Sequence, residues 1–134
     1  MAKDVRAAAV RSFAMCGLAP ADVHVCEFYD PFSFEIIRQF EAFGFCGEGE
    51  GGEFVLGDTI GPGGRYPITT DGGLMSYSHA GAQAQMLQRP IRAVQQVRGE
   101  CRTQQVREAA VAMCSGGGAG ALFTDVMLLG KDRP

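Results

Sequence analysis

The sequence predicts an α/β fold in which a mixed sheet is flanked by helices. Apolar residues recur at helical spacing in residues 4–15, 32–43 and 83–98, whereas short apolar runs at residues 23–28, 109–113 and 121–129 are typical of buried strands. With 134 residues and a mass of 14.3 kDa, the chain is expected to form one domain, residues 1–134, with a real core.

The first half of the chain predicts a helix, a strand and a second helix. In the first helix, Asp4 is placed as the cap and Gly17 follows the end. The strand then delivers Tyr29 and Asp30 at its carboxyl end. Asp30 is expected to cap the second helix, with Pro31 at its first position. The apolar positions of the two helices are Val5, Ala9, Phe13, Phe32, Ile36, Ile37, Phe40 and Phe43.

Residues 44–67 predict a long glycine-rich loop, because they hold nine of the nineteen glycines. A lid or dimer-contact loop and a solvated connector are both compatible with this composition. The EFVLG run at residues 53–57 predicts at most a short edge strand. A further strand within residues 66–75 would lead into a loop around His79.

The second half predicts a long helix and two strands. Helix 83–98 should bury Leu87, Ile91, Val94 and Val97 and be kinked or delayed by Pro90. Ahead of this helix lies His79, where the helix dipole favours a neutral imidazole. The last two strands should be joined by a turn within SGGGAG, so that Cys114 ends the first of them.

His79 and Cys114 are the candidate reactive residues, since each stands beside glycines that let a backbone approach a ligand closely. Imidazole and thiol groups both move protons once their pKa is suitable, which suggests acyl or proton-transfer chemistry. Each residue also has a purely structural alternative: a lone histidine is usually a polar loop residue, and a cysteine on a strand is usually a core thiol.

Composition excludes several classes of protein. The formal net charge of −3 does not indicate binding to nucleic acid or to an anionic membrane, both of which favour basic proteins. No apolar run is long enough to span a membrane and no signal-peptide pattern is present, so we expect no membrane insertion and a cytoplasmic location. Five cysteines without C-x-x-C spacing argue against disulfides and a metal site.

Several blocks in order resemble the C-terminal part of a thiolase, with sterol carrier protein-type thiolases and their lipid-transfer relatives the nearest branch. The blocks are YDPFSFEIIRQFEAFGFCGEGEGGEFV, GGRYPITTDGGLMSYSHAG, QQVRGE, QVREAAVAMCSGGGAGAL and LLGK. The resemblance implies the fold of a thiolase C-terminal half. It implies coenzyme A thioester substrates and no covalently bound cofactor.

The resemblance also assigns roles. Cys114 corresponds to the family's acid/base cysteine in Cys-x-Gly-Gly-Gly, and His79 to the histidine of Gly-His-Pro, although Ser78 and Ala80 depart from that motif. Tyr29 stands where the branch has His-Asp-x-Phe and the side-chain-cleaving aldolases have Tyr-Asp-x-Phe. The glycines expected to contact substrate are Gly72, Gly73, Gly116 and Gly117.

The cysteine that a thiolase acylates belongs to the family's first half, and the other four cysteines lack its context. The family's second half also begins with a strand ahead of the first helix, which this sequence lacks. We therefore expect the sheet to be incomplete without another chain, an N-terminal thiolase half, in a homo- or hetero-oligomer. The chain is then either a separate subunit or a fragment. The leading function is a thiolase-type acyltransferase; the alternatives are a retro-aldolase acting on β-hydroxyacyl-CoA side chains and a non-catalytic acyl-CoA or lipid-binding subunit.

Overall fold

A computed structural model describes residues 2–77, 82–118 and 123–132. The described helices and strands follow one another as α1 (Ala2–Cys16), a 3-10 turn (Pro20–Asp22), β1 (Val25–Glu27), α2 (Ser33–Ala42), α3 (Gly51–Phe54), α4 (Gly73–Tyr77), α5 (Ala82–Arg98), β2 (Val111–Gly118) and β3 (Phe123–Gly130). Helices α1, α2 and α5 and the three strands match predicted elements, whereas α3 and α4 were not predicted.

The strands form one sheet in the order β1-β2-β3, with β1 parallel to β2 and β3 antiparallel to β2. The predicted mixed sheet is therefore confirmed. The expected strand within residues 66–75 reduces to one parallel bridge between Ile68 and Cys26. Across the ladder, Cys114 lies between Glu27 on β1 and Met127 on β3.

Helices α1 and α2 cover one face of the sheet with an apolar core. Phe28 and Phe40 are fully buried there, and their ring centroids are 5.3 Å apart. The predicted inward face of α1 is confirmed. The buried members of this cluster are Val5, Ala9, Phe13, Val23, Cys26, Phe28, Ile36, Phe40, Phe43 and Met113.

Helix α5 covers the other face, and here the predicted buried side is wrong. Leu87 and Ile91 are exposed by 62% and 55%, while Arg89 is 1% exposed and turned toward the sheet. The apolar pattern failed because Arg89, Arg92 and Gln96 donate hydrogen bonds to buried side chains and backbone groups, which offsets much of the cost of burying them. Of the four α5 residues that were predicted to be buried, Val97 alone is buried.

Three local predictions are corrected. Helix α2 begins at Ser33 after Phe32, because the Asp30 carboxylate bonds the distant Leu74 N–H group instead of capping α2. Residues 51–54 form the short helix α3, so the edge strand predicted at residues 53–57 is wrong. Residues 115–118 continue β2, so Cys114 lies within the strand and does not end it.

Candidate functional site

The carboxyl ends of the parallel strands β1 and β2 bring Tyr29 and the glycines after Cys114 together. The Tyr29 ring lies against Gly117: a Cβ atom at residue 117 would be 2.7 Å from Tyr29 Cδ1. The Tyr29 N–H group also donates to Ser115 Oγ at 3.0 Å. Glycine is required at position 117 because the tyrosine ring occupies the space of a side chain.

A buried amide holds Tyr29 in this position. Gln39 of α2 donates from Nε2 to the Tyr29 carbonyl at 2.6 Å and accepts from Ser115 Oγ at 2.5 Å. The backbone of Tyr29 is thus fixed to α2 and to β2 at once. Burial raises the pKa of the Tyr29 hydroxyl, and the carboxylates of Glu35 and Asp30 raise it further, so the phenol stays protonated at neutral pH.

Asp30 ties the end of β1 to α4, the helix that directly precedes residues 78–81. Its side chain is fully buried, and Oδ1 accepts from the Leu74 N–H group at 2.9 Å. A Cβ atom at residue 73 would overlap the carboxylate, and the φ of +65° at Gly73 also favours glycine. Burial raises the pKa of Asp30, although the backbone bond to Leu74 and the Arg89 charge oppose that shift.

Two carboxylates share the buried guanidinium of Arg89. Nη1 of Arg89 donates to Glu27 Oε2 at 3.1 Å, and Nη2 donates to both oxygens of Asp71 at 2.6 Å. Glu27 is 0% exposed and also accepts from the amide and hydroxyl of Thr70. This network joins β1, the turn at residues 69–72 and α5 directly beneath the site.

Two further α5 side chains hold the same turn. Arg92 donates to Thr70 Oγ1 at 2.8 Å and to the Thr70 carbonyl at 2.9 Å. Gln96 donates to Thr70 Oγ1 at 2.7 Å. The polar face of α5 therefore fixes the turn from which α4 starts.

Glu27 and Asp71 differ in protonation although they share one cation. Burial raises the pKa of Glu27 to about 7, and the Asp71 charge adds to this effect against the opposing bonds from Thr70 and Arg89. Burial also tends to raise the pKa of Asp71, but the hydrogen bonds and the charge of Arg89 outweigh this effect, so the pKa of Asp71 is lowered. Asp71 therefore stays ionised at neutral pH, whereas Glu27 is divided between its two forms.

Cys114 is a buried thiol on the α5 side of β2. Burial raises its pKa to about 12, and the carboxylates of Asp125 and Glu27 add to that increase while Arg89 opposes it. Within this chain Cys114 therefore holds its proton at neutral pH. A thiol of this kind donates a proton readily only to a strong base, and its thiolate, once formed, is itself a strong base.

His79 lies outside the described residues, so its expected proximity to Cys114 stays a prediction. Of the predicted substrate-contacting glycines, Gly73 and Gly117 face Asp30 and Tyr29, and Gly116 lies beneath Asp125. Gly72 lines an open cavity of about 500 Å³. Substrate contact by these four glycines remains a prediction.

Neither a cluster of metal ligands nor a membrane-spanning helix occurs in the part of the chain that the structure describes. No group of three or more His, Cys, Asp or Glu side chains there is arranged to hold a metal ion. None of the helices in residues 2–77 and 82–118 combines the length and the apolar character that crossing a bilayer requires.

Residues 1–131 match a family of domains described as thiolase C-terminal domain-like. The chain belongs to this family. The match covers nearly the whole sequence and includes Tyr29, His79 and Cys114. It confirms the resemblance inferred from the ordered sequence blocks and the fold expected from them.

Individual relatives point to more than one chemistry. Sterol carrier protein 2 of Bos taurus is 37% identical over 106 residues, which are 79% of this chain and 19% of the relative. Benzoylsuccinyl-CoA thiolase subunit BbsB of Thauera aromatica is 32% identical over 114 residues, 81% of this chain and 29% of the relative. The solved Ltp2-ChsH2(DUF35) aldolase has a TM-score of 0.82 and 26% identity over 96% of this chain and 32% of its own.

This chain therefore spans only 19% to 32% of the length of these relatives. Sequence reasoning missed Glu27, Asp71 and Arg89 as residues that support the site. One signal was present: Arg89, Arg92 and Gln96 recur at helical spacing within α5. A polar stripe of this kind is normally assigned to solvent, so only the packing of α5 revealed its role.

Proposed function

We propose that this chain is the C-terminal part of a thiolase-type acyltransferase that acts on coenzyme A thioesters. The observation that carries the proposal is the placement of Cys114 on β2 directly before Ser115, the residue that accepts a hydrogen bond from the Tyr29 N–H group. Cys114 holds its proton within the chain, as a proton carrier must before it returns one. The acylated cysteine is supplied by an N-terminal half that is absent from this sequence.

In this mechanism Cys114 returns a proton to the carbon of the acyl group as the thiol, or removes the proton from that carbon once the thiol is ionised. His79 polarises the nucleophilic cysteine or the thioester oxygen, and Tyr29 lines the acyl pocket. The coenzyme A thioester is the substrate, and no covalently bound cofactor takes part. The lengths of the relatives support a partner chain or segment, because this chain matches less than a third of each.

The test is Cys114→Ala in the enzyme assembled with its N-terminal half. We expect carbon–carbon bond chemistry to fall at least ~10²-fold, as for loss of a general acid or base. Acylation of the partner cysteine, measured as a mass increase of that chain, should be largely retained. Cys101→Ala, which changes a half-buried cysteine elsewhere, is the control. Unchanged bond-forming turnover in Cys114→Ala would contradict the proposal.

A retro-aldolase is the second candidate, and Tyr29 favours it. Its hydroxyl is kept protonated beside the site, as a proton-transferring phenol requires, and one solved relative is named an aldolase. Under this alternative Tyr29→Phe should lower turnover about 10²-fold or more, whereas the acyltransferase should keep most of its activity. Acyl-CoA binding without turnover in the complete assembly would instead favour the non-catalytic binding subunit.

A further inference from the structure

Carboxylates flank Cys114 on both neighbouring strands. Glu27 on β1 is its partner in the parallel ladder, and Asp125 on β3 is the partner of Gly116, two residues farther along β2. Because side chains two residues apart share one face of a sheet, Cys114 and residue 116 both face α5. Glu27 faces the same way, since its carboxylate bonds Arg89 of α5.

Gly116 lets the Asp125 carboxylate lie over β2. A Cβ atom at residue 116 would be 2.5 Å from Asp125 Oδ1, so any side chain there would displace the carboxylate. The Asp125 residue is exposed at the edge of the sheet, yet its charge is held toward the strand that carries Cys114. Because Gly116 has no side chain, the Asp125 carboxylate can lie near the Cys114 thiol.

The charges around Cys114 are not balanced. Glu27 faces the thiol from β1 and Asp125 from β3, while Arg89 is the cation that faces it from α5. Arg89 is already bonded to Glu27 and to Asp71 of the adjacent turn. Burial is the main reason why a negative charge on Cys114 is disfavoured, and the carboxylates of Asp125 and Glu27 add to it against the shared guanidinium of Arg89.

We propose that Glu27 and Asp125 are positioning residues that keep Cys114 in its thiol form and so prevent it from acting as a second nucleophile. Attack on a thioester requires a thiolate. In the proposed site one cysteine is acylated and another carries protons. The two flanking carboxylates would keep Cys114 from being acylated and so restrict it to proton transfer. The description of Cys114 as a proton carrier rests on the function proposed above, whereas its suppressed nucleophilicity does not.

The test is the rate at which iodoacetamide alkylates Cys114 in the full chain, followed by mass spectrometry of the Cys114 peptide. The reagent is neutral, so a nearby charge acts on the rate through ionisation of the thiol. At pH 8 we expect Asp125→Asn and Glu27→Gln each to raise the rate about three-fold or more. Each unit of pKa changes the thiolate fraction about ten-fold, and reduced intrinsic nucleophilicity offsets part of that gain.

Cys26 supplies an internal reference for changes in overall opening. It is fully buried on the opposite face of β1, so a loosened fold would accelerate Cys26 and Cys114 together. Glu27 also acts on the Cys26 thiol, and therefore Asp125→Asn is the variant to compare with this reference. Glu48→Gln, at an exposed site, controls for the loss of a carboxylate and should change neither rate.

An unchanged ratio of Cys114 to Cys26 alkylation in Asp125→Asn overturns the proposal, as does rapid alkylation of Cys114 in the unaltered chain. A raised ratio supports it, and a further increase in the double variant with Glu27→Gln supports the contribution of both strands. An assembled enzyme without carbon–carbon bond chemistry would contradict the proposed function and leave the alkylation result standing, so the two failures are distinguishable.

Discussion

The two faces of the sheet bury different kinds of side chain, mainly apolar on one face and charged on the other. On the α1 and α2 face, Phe28 and Phe40 form an aromatic core with other apolar side chains, to which Gln39 and Ser115 add one buried polar contact. On the α5 face, Glu27 and Arg89 are as deeply buried, and the apolar cluster around Val25 is smaller. One sheet of three strands is therefore stabilised by apolar packing on one side and by a hydrogen-bonded ion network on the other.

The polar face carries Cys114, whereas Tyr29 is held from the other side by Gln39 of α2. Hydrogen bonds are directional, so Arg89, Arg92 and Gln96 fix the turn before α4 at defined distances, which apolar packing alone does less specifically. The stability of this network therefore depends on the protonation of its carboxylates and on the presence of every hydrogen-bond partner. The difference indicates that the aromatic face supplies stability, whereas the α5 face supplies positioning.

The largest expected effect on stability is on the aromatic face. Phe40→Ala should lower the free energy of unfolding by ~3–5 kcal/mol, because Phe40 is fully buried among other rings and its removal leaves a cavity. Phe34→Ala, on the same helix but exposed, should cost less than ~1 kcal/mol. Denaturant titration measures both, and equal losses would contradict the assignment of the core.

Arg89→Met should have the next largest effect, on the polar face. It leaves Glu27 and Asp71 without their shared cation, which typically costs ~3 kcal/mol or more for a buried pair. Adding Glu27→Gln should recover part of the loss. Arg38→Met, which breaks the ion pair with Glu35 at the surface of α2, should cost less than ~1 kcal/mol. No recovery in the double variant would argue against a buried carboxylate as the cause.

The pH dependence of stability isolates Glu27. Its pKa is about 7 in the folded chain and 4.5 in the unfolded chain, so the folded state binds the proton more tightly. The stability that Glu27 contributes is therefore fully present below pH 4.5 and is lost as the pH rises to 7, by ~3 kcal/mol. Unfolding free energies of the unaltered chain minus those of Glu27→Gln should show this slope. A difference that does not vary between pH 4.5 and 7 would contradict it.

The smallest effect on folding is expected on the outer side of α5, where Ile91 is exposed. Ile91→Asp should change the free energy of unfolding by less than ~0.5 kcal/mol. It should nevertheless weaken association, because exposed apolar residues on α5 are typical of a contact surface. Val10→Asp, at an exposed site on α1, is the control. Sedimentation showing a compact monomer for the unaltered chain would contradict the expected oligomer.

Local patterns predicted most of the fold. The apolar spacing of α1 and α2 and the runs that became β1, β2 and β3 were identified because burial of apolar side chains follows the period of each element. The resemblance to a thiolase added the family and three candidate residues. Of those, Tyr29 bonds Ser115, the residue after Cys114, while the roles of all three residues stay predictions.

The sequence by itself determined helices α1, α2 and α5 and the three strands, since propensity and periodicity are local properties, and it supplied the residues proposed for proton transfer. Tertiary structure alone decided which face of α5 is buried, that Asp30 bonds α4 and not α2, and that Cys114 lies between Glu27 and the strand of Asp125. These features depend on partners more than 40 residues apart for Asp30 and Leu74, or 62 apart for Glu27 and Arg89. No local pattern records whether a charged side chain will meet its counter-charge in the interior.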